Sequence, residues 1–186
     1  GNFSVADTVE TLLDIGGDTV SFSKNLTLTG LDSFVTTGST VVFDGASFLT
    51  SAGHSFEGLE IGSLSVGGVL TLVDDLDVNG DLVVRNGGAT SWVLTGRALT
   101  LAGDVDLAAL DSITTTSSSV TLDGMEGQVM GANGVSFNNL IVTNTSPSGV
   151  SFSSDWIAVN FTVDQGNTSL YFAANETFTV ANALTL

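Results

Sequence analysis

Cysteine is absent from the 186 residues, and lysine, histidine, proline and tyrosine occur once each, as Lys24, His54, Pro147 and Tyr171. The missing cysteine excludes a disulfide framework, a thiolate metal site and a cysteine nucleophile. It does not place the chain in the cytosol. Positive charge is nearly as scarce. Lys24, Arg85 and Arg97 stand against 20 acids, for a net charge of −17. No basic patch can form, so nucleic acid and anionic membrane surfaces are poor partners. No apolar run approaches the ~18–20 residues of a membrane-spanning helix, so membrane insertion is not expected. No positively charged leader is present, and the start at Gly1 reads as a mature or excised portion of a larger product.

What is present is small and β-prone: 22 Gly, 22 Ser and 24 Thr among 42% apolar residues. The sequence repeats. Shifted by 79, residues 1–45 match 80–124 without a gap, with 14 of 45 positions identical. The best block pairs LDSFVTTGSTVVFDG (Leu31–Gly45) with LDSITTTSSSVTLDG (Leu110–Gly124). A further shift sets Asn2–Val5 on Asn160–Val163, and Leu26–Leu28 on Leu184–Leu186. The chain reads as one domain over 1–186, with repeat phases 1–79, 80–158 and a partial 159–186. Gaps confined to short stretches are what loops on a repeated scaffold permit.

Apolar residues recur every second position, as in Val20-x-Phe22, Val41-x-Phe43, Leu70-x-Leu72 and Leu99-x-Leu101, and each run closes on Gly, Asn or Asp. That period predicts strands. Ser4–Ile15 could be drawn as a helix with Val5, Val9 and Leu12 on one face, but its repeat partner is strand-like, so strand is assigned throughout. Asn-Gly and Asp-Gly pairs suit hairpins and an antiparallel β-sandwich. Repetition with a one-third remainder suits a stack. The expectation is an all-β, right-handed parallel β-helix (a β-solenoid) of seven to nine turns. Val20, Phe22, Val41 and Phe43 are expected inside, stacking near Leu99, Leu101, Val120 and Leu122. Most aromatic positions, Tyr171 included, are read as core ladders.

Residues able to carry chemistry are few. Asp75-x-Asp77-x-Asn79-Gly80-Asp81 has the form of the first half of a calcium loop. Its second half fails, because Asn86 stands where a bidentate Glu is needed. Asp75, Asp77, Asn79 and Asp81 are therefore a candidate calcium site on a strand with outward acids. No cofactor is required, and calcium is the one candidate. Lys24, Arg85, Arg97 and His54 fall at unrelated phases of the repeat, and among the 20 acids no carboxylate pair for glycoside chemistry stands out from a solvated face, so an enzyme is not expected. Asn-x-Ser/Thr sequons at Asn2, Asn25, Asn144, Asn160, Asn167 and Asn175 are glycosylation candidates if the chain is secreted.

Phrases such as STVVFDG, SFEGLEIGS, GVLTLVDDLDVNGDLVV and SFNNLIVTNTSPSGVSF resemble the large secreted "β-strand repeat" proteins of prokaryotes, which are adhesin-like or surface-fibre polypeptides. The resemblance covers essentially the whole chain, is carried by composition and turns, and supplies no catalytic residues. It implies an extracellular or cell-surface structural subunit of a fibre, sheath or adhesin stalk. Its implied partners are itself, as a head-to-tail homopolymer, and cell-surface polysaccharide. Assembly would use uncapped terminal strands, with Phe3 and Val5 at one end and Leu184 and Leu186 at the other. A calcium-dependent surface-layer module and a carbohydrate-active β-helix enzyme are the alternatives.

Overall fold

The computed structural model describes residues 1–5, 10–85, 87–164 and 168–186; Val9 and Asn86, used in the sequence argument, lie outside them. Three faces wind around one apolar axis. The first carries β1 (Phe3–Ser4), β4 (Leu26–Thr27), β7 (Ala46–Thr50), β10 (Val69–Leu72), β13 (Ser91–Val93) and β16 (Ser112–Thr114). The second begins with β2 (Leu12–Asp14) and β5 (Ser33–Val35). It continues through β8 (Ser55–Phe56), β11 (Leu76–Val78), β14 (Ala98–Leu101), β17 (Ser119–Leu122), β19 (Val135–Val142), β21 (Trp156–Val163) and β23 (Phe178–Thr185). The rings of Phe34 and Phe56, 5.3 Å apart, join its two parts. The third face carries β3 (Thr19–Phe22), β6 (Thr40–Phe43), β9 (Gly58–Ile61), β12 (Leu82–Val84), β15 (Val105–Asp106), β18 (Gln128–Gly131), β20 (Val150–Phe152) and β22 (Leu170–Phe172).

Partners are parallel and in register, for example Val20 on Val41 and Leu99 on Val120. The molecule is a β-solenoid of about eight turns, matching the eight strands of its third face. A turn varies from 18 residues (Val41 to Leu59) to 25 (Val105 to Met130), the difference lying in the corners. Ser4–Ile15, where described, holds the end of β1 and all of β2, with no helix. Among the described residues there is no helix, hence none long and apolar enough to cross a membrane.

The period of two explains the core. On a pleated strand, alternate side chains point to opposite faces, so Leu70, Leu72, Val78, Leu82 and Val120 turn inward and are buried. Trp92, Trp156, Phe43, Phe56 and Phe152 are the largest fully buried side chains. Tyr171 is a correction. It holds the middle, outward position of β22 and is exposed.

Asn-Gly and Asp-Gly do not make hairpins. Among the described residues, no strand pairs with the one that follows it. Where described, these dipeptides are corners, and at Gly45 and Gly80 glycine is needed because the coil below passes too close for a side chain. A Cβ on Gly45 would sit 2.4 Å from the Ser23 carbonyl oxygen, and one on Gly80 2.3 Å from that of Glu57.

The repeat also behaves differently from the expectation. Val20, Phe22, Val41 and Phe43 do turn inward, as do Leu99, Leu101, Val120 and Leu122. The two sets do not stack on each other. The first lies on the third face and the second on the second face. A shift of 79 carries β2 to β13, β3 to β14 and β4 to β15, an advance of 11 strands. With three strands to a turn, 11 strands are three turns and two further faces. Equivalent residues are therefore rotated two-thirds of a turn about the axis. Local contacts survive the rotation: Thr11 N–H donates to Asp32 and Thr90 N–H to Asp111, each 79 residues apart from its counterpart.

Candidate functional site

The acids concentrate at the corners, where the sheet ladder is interrupted and backbone N–H groups point along the axis without a strand partner. Aspartates of neighbouring coils accept from them. Asp74 accepts from Ser51 N and Ala52 N (2.8 and 2.7 Å), and Asp104 accepts from Val129 N (2.7 Å). Asp32, Asp111 and Asp155 do the same for Thr11, Thr90 and Thr177. Much of the negative charge is thus structural, since a carboxylate satisfies a donor that would otherwise be orphaned.

Of the four candidate calcium ligands, Asp75 and Asp81 are used in the same way, and the aspartates point to different coils. Asp75 accepts from Ala98 N (2.9 Å) and Asp81 from Asp104 N (2.9 Å), both in the following coil. Asp77 accepts from the Ser55 hydroxyl in the preceding coil. Asn79 is exposed on the corner, its backbone N–H bonded to the Phe56 carbonyl. Among the described residues no three His, Asp or Glu side chains converge as a metal-binding group. Asp123 stands apart. Its Oδ1 is buried without a hydrogen-bond partner, and burial, then the charge of Asp77, raises its pKa against the lowering effect of its own backbone N–H.

The scarce cations remain scattered. Arg85 Nε lies 3.0 Å from Glu60 Oε2, and His54 Nε2 lies 2.9 Å from the Leu31 carbonyl oxygen, which places its proton on Nε2. The outer side of the third face is a shallow trough in two lobes of about 470 and 390 Å³ that share Asp81 and Val83. Glu57, Glu60 and Arg85 line one lobe; Asp104, Asp106, Val129 and Asn133 line the other.

The sequons separate by burial. Asn2 and Asn175 are exposed, and Asn25 is half-buried, accepting from Phe48 N at 3.1 Å. Asn144 is fully buried, its amide donating to Glu126 O and Gln128 Oε1, so a glycosyltransferase could not reach it in the folded chain. Asn160 is held in a ladder of stacked amides, donating to Asn139 and accepting from Asn182, each at 2.8 Å. Asn167 lies outside the described residues. Sequence reasoning missed this ladder, although asparagines spaced by about one turn were its signal. It also passed over Phe48 and Phe172, both exposed.

At the two ends, inward-facing positions remain uncovered. Phe3 is 36% exposed and half-buried Val5 packs against the core edge; Phe3 and Phe22 meet edge to face at 5.9 Å. At the other end Phe172 is 48%, Leu184 58% and Leu186 84% exposed. Leu184 pairs with buried Phe161 and so holds an inward position with no coil above it. Among the described residues β1, β2, β3, β22 and β23 each have one unpaired edge. Comparison with family models, curated proteins and solved structures returns no match.

Proposed function

We propose that the chain is a structural subunit of an extracellular fibre, sheath or adhesin stalk, extended head to tail through its open end rungs. The observation that carries this reading is the stack: on each face the described strands pair in parallel and in register with those one coil away, so that each coil is a template for the next. Within the described residues, Phe3 and Val5 on one side and Phe172, Leu184 and Leu186 on the other are the positions that a further coil would cover. An open edge of this kind recruits another strand, and a contact between two different ends propagates instead of closing. The resemblance to secreted β-strand repeat proteins agrees with it. Truncation tests it. Removing Ala183–Leu186 from the 186-residue protein takes away the second half of β23, and should abolish polymers while the monomer's β signal persists. Filaments of normal length from that truncation would sink the reading.

A second reading, a carbohydrate-active surface, is favoured by one feature: the acidic trough of the third face with Arg85 beside Glu57 and Glu60. Arg85→Ala should weaken retention on acidic or neutral polysaccharide columns if the trough holds a sugar chain, and change nothing if it does not.

A further inference from the structure

We propose that the outer side of the first face is an interface, and that its occupant is a second copy of this chain, laid alongside with first face against first face. The contact uses the flank of the rod, so it is independent of how the rod continues along its axis.

The face is set apart by where charge is missing. In a chain of net charge −17, no described acid or base lies on a first-face strand. Asp14 and Asp77 stand on strands of the second face, Glu60 and Asp106 on strands of the third, and the other described charges sit at corners. Corner acids beside the first face are occupied along the axis, Asp74 with Ser51 and Ala52 N–H and Asp155 with Thr177 N–H.

The strands β7 (ASFLT), β10 (VLTL), β13 (SWV) and β16 (SIT) hold only apolar and hydroxyl side chains. Alternation turns Phe48, Thr71, Val93 and Thr114 outward in one row, one residue per coil. Val69 and Val73 flank Thr71 on the same side, and both are exposed with Phe48. The corner leading into β10 adds exposed Leu64 and Val66, on a turn closed by Ser63 N–H to the Val66 carbonyl (2.7 Å). Above β16 the opening residues of β19 and β21 continue the face. Thr115 Oγ1 donates to Ser136 O at 3.0 Å, and Ile157, the strand partner of Ser136, is exposed.

A contiguous apolar surface of this kind marks an interaction site, and charge, pitch and area select a second copy for it. Two copies at −17 repel wherever their acids approach, and only the first face lets them meet without that cost; a cationic partner would be drawn to the corners instead. The outward rows recur at the ~4.8 Å coil spacing. Ridges of one rod therefore find matching grooves over their whole height only on another rod of the same pitch, as two sheets packed ~10 Å apart. The face comprises six strands and the opening parts of three more. That makes it ~38 Å tall, and the five residues of β7 make it ~13 Å wide. A pair would bury about 1,000 Å² in total, which is what a specific interface requires. Like face on like face is a two-fold contact that closes as a dimer, and in a fibre it would join rods side by side.

Sedimentation of the 186-residue protein over a range of concentration and salt tests the proposal. Dimers are expected, tighter at higher salt, because screening relieves repulsion between the acidic flanks. Dimers that dissociate on adding salt, or a monomer at every concentration, would overturn it. Thr71→Glu sets like charges into the contact and should weaken dimerisation at least ~100-fold. Thr121→Glu adds the same charge on the outer side of the second face and should leave dimerisation nearly unchanged. Equal weakening by both would overturn the assignment of the face. Because the chain lacks cysteine, single thiols give a readout that leaves the face uncharged. Thr71→Cys should lose most of its maleimide reactivity as the dimer forms, and Thr121→Cys should keep it. End-to-end growth covers neither position. Protection at 121 without protection at 71 would overturn the proposal. So would a monomer that binds neutral polysaccharide or zwitterionic vesicles and loses that binding in Thr71→Glu, since the face would then have another occupant.

Discussion

The middle of the rod and its ends are built from the same alternating sequence, yet they bury it differently. Leu101 and Val120 are covered above and below, whereas Phe22 and Leu184 hold the same inward orientation and stay partly in water. In a solenoid, burial is set by the coils on either side as much as by residue type. A charge should therefore separate the two regions. Leu101→Asp strands an unpaired carboxylate in the covered core and should cost about 4 kcal/mol or more, enough to unfold a marginal domain. Phe22→Asp, beside an open edge, should cost about half as much or less, because water reaches it. Equal losses in chemical denaturation would break the comparison.

The corners sharpen it. Removing a carboxylate that satisfies two N–H groups, as in Asp74→Ala, should cost about 1–3 kcal/mol. Asp74→Asn, which keeps an acceptor, should cost less. Asp155→Ala, near the open end, should cost less than Asp74→Ala in the monomer, and urea midpoints check all three.

Asp123 works in the opposite direction. Its folded pKa lies above the ordinary aspartate value, so between the two values the folded chain holds a proton that the unfolded chain has released. Stability is then greatest below the unfolded value and falls as pH rises through the folded one. Asp123→Asn should raise the melting temperature at pH 7 and leave it unchanged near pH 3. A loss at pH 7 would mean that the carboxylate has a partner. The smallest effect belongs to Ser117, which adopts φ +56° at the position equivalent to Gly38 (φ +70°). Relieving that left-handed conformation with Ser117→Gly should add about 0.5 kcal/mol or less, readable as a small upward shift in melting temperature.

How much of this was legible in the sequence follows from how local each signal is. Val20-x-Phe22 and Leu99-x-Leu101 declare strands because the period of two lies within one strand. The repeat declared stacking because only a stack copies its unit. Which face each strand occupies was not legible. It depends on three strands closing a turn whose length drifts between 18 and 25 residues, so Val20 and Leu99 share a repeat phase but not a face. At Asp75–Asp81 the sequence shows the local spacing but not the hydrogen-bond partners of the aspartates, because Ser55, Ala98 and Asp104 lie a turn away in the chain. The amide ladder through Asn139, Asn160 and Asn182 was hidden for the same reason.

Native-state hydrogen exchange, read residue by residue in monomer and polymer, tests most directly whether the end rungs are incomplete until another rung covers them. In the monomer, amides of β9 to β17 should exchange slowly, and those at the open edges of β1, β3, β22 and β23 quickly. On assembly the same terminal amides should become as protected as the middle. Terminal amides already protected in the monomer, or still unprotected in the polymer, would contradict the account.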